Sequence, residues 1–194
     1  MTLIFATNNA NKVKEIRDAL GGDIDIISLK EAGIDKDIPE PHDTLEANAT
    51  EKSRTIYEMT GQNCFSEDTG LEVEALNGAP GVYSARYAGE NPTYADNVAK
   101  LLQEMKGKSN RRARFRTVIS LIINGKETQF EGICNGQITE HPSGSEGFGY
   151  DPVFIADGAD STFAGMSMAK KKEFSHRAKA VEKLVLYLKH QTVK

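Results

Sequence analysis

The stretch RRARFRTVISLIINGKETQFEGICNGQI, residues 111–138, limits the possible folds more than any other part of the chain. Two long runs rich in β-branched and apolar residues flank Asn124-Gly125, a dipeptide suited to the positive backbone angles of a two-residue hairpin turn. Alternation with period two puts Ala113, Phe115, Thr117 and Ile119 on one face and the arginines on the other. RRARFR therefore reads as the solvated face of a strand, although taken alone it also invites a nucleic-acid reading. An antiparallel hairpin this long has to join a sheet.

The flanking sequence indicates what kind of sheet. TLIFAT reads as a buried strand. After the polar break NNAN, KVKEIRDALGG reads as a helix with Val13, Ile16 and Leu20 on one face and Gly21 as its stop. DIDIISL alternates as a second strand, and the polar loop EAGIDKDIPEPHD follows. Asp43 and Glu46 fit a capping box opening the helix TLEANATEKSRTIYEMTG, which Gly61 ends. NCFSEDTGLEVEAL predicts a strand, a break at Thr-Gly and a short strand. TYADNVAKLLQEMKG predicts an amphipathic helix with Val98, Leu101, Leu102 and Met105 inward. VFIAD reads as a last strand. SHRAKAVEKLVLYLKH reads as a closing helix with Val181, Leu184, Val185 and Leu188 on its buried stripe. Helices interleaved with strands, plus one antiparallel hairpin, imply an α/β protein with a mixed sheet.

The chain's 194 residues, 39% hydrophobic and 27% charged, suit one domain, or one domain of two lobes, with a substantial core. A net charge of −4 argues against bulk nucleic-acid binding, yet it leaves room for a phosphate-bearing small molecule held by local positive charge. Cys64 and Cys134 form neither metal spacing nor a disulfide framework, so a reducing cytoplasm is the expected compartment. VISLII, the longest apolar run, is far short of a membrane span.

Four stretches could carry chemistry, and each has a plainer alternative. ATNNANK, residues 6–12, runs from a strand into a helix start, where free amides and the helix dipole favour an anion. Thr7, Asn8, Asn9 and Lys12 add donors and charge, but they also fit a simple polar cap. SEDTGLEV, residues 66–73, sets Glu67 beside Asp68. These two acids are either a solvated turn or ligands of a hard cation such as Mg²⁺, with Glu40 of IPEPHD as a third oxygen ligand. One carboxylate could alternatively accept a proton from an attacking water. KKKEFSHR, residues 170–177, gathers Lys170, Lys171, Lys172, His176 and Arg177 at the expected start of the last helix, as an anion site or a solvated basic turn. EGFGYDP, residues 146–152, is a tight loop, or one that lets backbone and the Phe148 and Tyr150 rings approach a flat ligand.

ATNNANKVKEI, SEDTGLEVEALNGAPGVYSARYAGE, GFGYDPVF and FSHRAKA, in that order and spanning nearly the whole chain, resemble the Ham1-type inosine triphosphate pyrophosphatases, house-cleaning nucleotide hydrolases. The resemblance implies a single domain over residues 1–194. Its fold would be an elongated mixed central sheet flanked by helices, in two lobes with an active-site cleft between them, usually as a homodimer. It implies Mg²⁺-dependent hydrolysis of ITP, dITP and XTP to the monophosphate and pyrophosphate, with no nucleic-acid or membrane partner. On matching positions it implies that Thr7, Asn8, Asn9, Ala10, Asn11 and Lys12 hold the triphosphate and Thr69 contacts substrate. It implies that Phe148, Gly149, Tyr150 and Asp151 receive the base, and that Lys171, His176 and Arg177 complete the nucleotide contacts. Asp68 takes the place of the catalytic acid, and Glu40, Glu67 and Asp68 that of the metal ligands. Arg86 lies in the matching YSAR motif. The chain departs from the usual pattern at Ala47 and Gly165, where acids are common, and at Lys172, where Asn is usual.

Overall fold

The computed structural model describes residues 1–22 and 24–191. Asp23, the first residue of the predicted second strand, lies outside the described residues. In chain order come β1 (Thr2–Phe5), α1 (Ala10–Leu20), β2 (Asp25–Ser28), α2 (Leu45–Thr60), β3 (Cys64–Val73), α3 (Tyr94–Met105), β4 (Arg112–Ile123), β5 (Lys126–Ile138), β6 (Phe154–Ala156), α4 (Met168–Lys172) and α5 (His176–Gln191). Short 3₁₀ turns link several of them. One six-stranded sheet has the order β2-β1-β3-β4-β5-β6. β1 pairs in parallel with both β2 and β3, and β5 pairs antiparallel with β6, so the sheet is mixed, as the sequence implies. The hairpin turns at Asn124 and Gly125 with φ of 49° and 81°, the left-handed geometry that Asn-Gly tolerates. No helix of the described residues is long and apolar enough to cross a membrane.

The chain divides into two compact units. The first takes Met1–Asp68, Thr117–Gly132 and the segment from Arg177 on; the second takes Thr69–Arg116 and Ile133–His176. In the first unit, Leu3, Phe5 and Phe65 face Val13, Ile16 and Leu20 of α1 and Val181, Leu184 and Leu188 of α5. On the opposite side, Ile4 and Cys64 pack with Ile56 of α2. The core of the second unit joins Leu71 and Val73, the α3 stripe Val98, Leu101 and Met105, and the rings of Phe115, Phe154 and Phe163.

Three local expectations change. β3 runs unbroken through Thr69-Gly70. A Cβ at Gly70 would sit 2.6 Å from the carbonyl oxygen of Gly81, so this glycine permits a close backbone approach and does not end the strand. The residue capping α2 is Thr44, not Asp43, its hydroxyl accepting from the Ala47 amide. The lysine run forms α4, a separate short helix, with Lys170, Lys171 and Lys172 in its last turn, where the dipole favours cations. The arginines of β4 are paired within their own unit. Arg112 binds Asp157 through two bonds of 2.8 and 3.0 Å, Arg114 binds Glu72 at 3.1 Å, and Arg116 lies 3.9 Å from the same carboxylate.

Candidate active site

Adjacent residues on a strand point to opposite faces, which accounts for two acids side by side in a core strand. Phe65 packs with α1 and α5, and Glu67 shares that face, meeting Lys12 of α1 and Arg177 of α5. Cys64, Ser66 and Asp68 face α2: the Ser66 hydroxyl donates to the Ala49 carbonyl, and Asp68 lies beside Lys52. The repulsion that the sequence suggests is relieved by divergence, and each carboxylate finds its own cations.

Glu67 has a fully buried side chain, and both of its oxygens are engaged. Lys12 Nζ is 2.6 Å from Oε1, Arg177 Nε donates to Oε2 at 2.8 Å, and the second arm of Arg177 reaches Oε1 at 3.3 Å. Arg177, itself 2% exposed, also pairs with Glu15 of α1. Burial pushes the Glu67 carboxyl up, but Arg177 and Lys12 outweigh it and hold the group below the usual carboxylate range. The same pairing, with Glu67 and then Glu15, keeps Arg177 charged against its own burial.

Lys52 of α2 anchors the other face. It is buried, and its ammonium donates to Glu40 Oε1 at 2.7 Å and to the Glu67 carbonyl at 2.8 Å. It stands 3.5 Å from Asp68 Oδ1. Burial lowers its proton affinity, but Asp68 and Glu40 more than compensate, so Lys52 is held protonated. Asp68 Oδ2 is buried with no hydrogen-bond partner among the described residues. Burial pushes the Asp68 carboxyl up to about 6, with Glu40 and Glu67 adding to the rise and Lys52 and Lys12 opposing it. In this cluster three cations (Lys12, Lys52, Arg177) face four carboxylates (Glu15, Glu40, Glu67, Asp68).

That arrangement suits a divalent cation in part. Among the described residues no group of three or more His, Cys, Asp and Glu side chains is set to hold a metal. Mg²⁺, however, is commonly bound by one or two carboxylates together with substrate phosphates and water, not by an all-protein cage. Asp68, through its open oxygen, and Glu40, whose side chain is 28% exposed, fit that role. Glu67, expected on the metal, has both oxygens on Lys12 and Arg177.

The loop from Thr7 to Lys12 is arranged as a helix cap. The Thr7 hydroxyl accepts from the Asn9 amide at 3.1 Å, and Asn9 Oδ1 accepts from the amides of Asn11 and Lys12 at 3.0 and 3.2 Å. A cavity of about 780 Å³ opens beside Asn8, Ala10, Lys14, Arg17 and Lys30. It touches none of Lys12, Glu40, Glu67 and Asp68. The buried charges are the better guide to chemistry, because burying ionised groups is costly and a solvated groove is not.

The expected base loop lies in the second unit. Gly147 and Gly149 take φ of 71° and 62°, and a Cβ on Gly147 would fall 2.1 Å from Asp151 Oδ2. That oxygen accepts from the Phe148 amide at 3.1 Å and pairs with Lys171 Nζ at 2.8 Å, both side chains being buried. Lys171 also stands 5.2 Å from the Phe148 ring centre. Tyr150 donates its hydroxyl to the Ser84 carbonyl at 2.6 Å. The His176 ring stacks on Phe115 with centres 4.6 Å apart. Thr69 is half-buried at the start of this unit. Arg86 lies over the exposed Tyr83 ring.

Two charged residues of the first cluster escape sequence reasoning. Glu15 follows Lys12 by three positions, a spacing that puts both on one helical face, and this is a usable signal. Lys52 looks like any helix lysine, and only tertiary packing turns it inward.

The chain matches the Ham1 family over residues 3–187. It is 48% identical over 190 residues to a dITP/XTP pyrophosphatase of Flavobacterium psychrophilum, covering 98% of this chain and 100% of that one. It is 52% identical over 184 residues to one of Porphyromonas gingivalis, covering 94% of each. The Staphylococcus aureus Ham1 protein superposes with a TM-score of 0.89 at 36% identity, over 98% of this chain and 100% of that one. With a family match across almost its whole length and these relatives end to end, the chain belongs to the Ham1 family.

Proposed function

We propose that this protein hydrolyses the non-standard purine nucleotides ITP, dITP and XTP to the monophosphate and pyrophosphate, as one catalytic domain over residues 1–194. The observation that carries the chemistry is Asp68: buried, one oxygen unpartnered, and its carboxyl raised to about 6, within reach of the pH at which a general base operates. The dITP/XTP pyrophosphatase names of its relatives support the substrate class.

In this reading Asp68 accepts the proton of a water as its oxygen attacks the α-phosphorus, and pyrophosphate leaves. Lys12, held by Glu67, and the loop of Thr7, Asn8, Asn9, Ala10 and Asn11 at the start of α1 receive the triphosphate. Lys171 adds charge to the phosphate contacts, and Thr69 touches the substrate. Arg177, clasped by Glu67 and Glu15, orders the cluster around Lys12. Glu40 and Asp68 would hold Mg²⁺, which supplies neutralisation of the phosphate oxygens. The purine lies on Phe148, beside Gly149, Tyr150 and Asp151, with His176 among its polar contacts. Donors matched to a 6-keto oxygen go unpaired against the amino group of adenine, at a cost of about 1–3 kcal/mol each. The protein acts in the cytoplasm as a homodimer, without nucleic-acid or membrane partners.

The test is pyrophosphate release from ITP, XTP, ATP and GTP, with Mg²⁺ or with EDTA, by the wild type and Asp68→Asn. Turnover of ITP and XTP well above that of ATP, lost with EDTA and in the variant, is expected. Equal turnover of ATP and ITP removes the specificity, and an active Asp68→Asn removes the mechanism.

A further inference from the structure

Nothing in the loop's hydrogen bonding fixes the plane of the Phe148 ring. The bond from its amide to Asp151 holds the backbone of the loop. Two side chains from outside the loop meet the ring. One is the Lys171 ammonium, 5.2 Å from its centre. The other is Tyr94, whose ring centre is 5.9 Å away at a tilt of 50°. Tyr94 is the first residue of α3 and lies one turn ahead of that helix's buried stripe, Asn97, Val98, Leu101 and Met105. It remains 47% exposed, so it does not serve the core as those residues do. Its backbone is fixed, because the Thr93 hydroxyl accepts from the Asp96 amide at 3.1 Å while the Asp96 carboxylate accepts from the Thr93 amide at 2.8 Å. A rigid helix start therefore presents an aromatic ring to the half-buried Phe148 side chain.

We propose that Tyr94 is a positioning residue that holds the Phe148 ring in the plane on which the purine base stacks. This rests on the base-platform role given to Phe148 above. A tilted aromatic pair gives roughly a two- to tenfold preference for the ordered arrangement. Tyr94→Ala should raise KM for ITP by that factor and leave kcat unchanged, since neither ring touches the reacting phosphorus. Affinity for IMP, measured by calorimetry, should weaken by the same factor. Tyr94→Phe, which keeps the ring, should restore both. Tyr94→Leu, which fills the space without a ring, should weaken both, and it serves if the alanine variant does not fold. In a Phe148→Ala background Tyr94→Ala should have no further effect. Wild-type KM and IMP affinity in Tyr94→Ala, or a full additional loss in the Phe148→Ala background, would overturn the role of Tyr94. Wild-type values in Phe148→Ala alone would refute the platform, and Tyr94 with it.

Discussion

Replacing Asp68 by asparagine should stabilise the protein at pH 8 while abolishing its activity. The reasoning starts from burial, which raises the Asp68 carboxyl from the ordinary 3.8 to about 6. A carboxyl raised on folding contributes its stability in full below its unfolded value, near pH 4, and loses it as pH rises through about 6. The gap of about 2 pH units, at about 1.4 kcal/mol each, means that ionised Asp68 costs the folded state about 3 kcal/mol at pH 8. Asparagine keeps the shape without the charge. Lys52 loses a neighbour at 3.5 Å but retains Glu40 at 2.7 Å and the Glu67 carbonyl at 2.8 Å, so the gain is at most that size. For a protein of this length, about 2–4 °C per kcal/mol places the midpoint up to roughly 6–12 °C higher at pH 8, with no gain at pH 4. Thermal unfolding followed by circular dichroism in EDTA at pH 4, 6 and 8 measures it. A variant no more stable than wild type at pH 8, or one with the same difference at all three values, would refute the reasoning.

Activity should show the same group from the other side. kcat/KM for ITP should fall about tenfold per pH unit once Asp68 protonates, below about 6 because bound Mg²⁺ would favour the ionised form, and Lys52→Met should move the inflection upward, because Lys52 favours that form too. Even at the dielectric constant of water, a charge at 3.5 Å is worth about 1 pH unit, so an unmoved inflection in the pH–rate profile would count against the assignment. Arg177→Met should destabilise by about 3–5 kcal/mol in urea unfolding, since it leaves Glu67 and Glu15 short of a buried partner. The double variant Arg177→Met/Glu67→Met should recover most of that loss, and no recovery would mean that the damage lies in packing and not in charge.

The elements were legible where local chemistry agrees with the tertiary result. Asn124-Gly125 announces its turn, and the alternation from Ala113 to Ile119 announces a strand face, because each is decided within a few residues. Gly70 was misread because a glycine that admits a neighbouring backbone looks like one that ends a strand, and the neighbour, Gly81, is eleven positions away. The lysines at 170–172 were misplaced because a run of cations does not tell which helix end it occupies. In the candidate site, Asp68 and Glu67 were visible as a pair. Their assignment to different partners was not, since it depends on which helix covers which face of the sheet. Lys52 was invisible for the same reason: its three oxygen neighbours lie on Glu40, Glu67 and Asp68.

The divergence of Glu67 and Asp68 makes the chain intolerant of a small accident. Removing or adding one residue in the turn before Cys64 would slip β3 by one place and turn each acid to the other face of the sheet. A deletion would offer the shorter aspartate to Lys12 and Arg177, and an insertion would press the longer glutamate against Lys52. The length of the segment between Gly61 and Cys64 thereby decides which cations each acid meets.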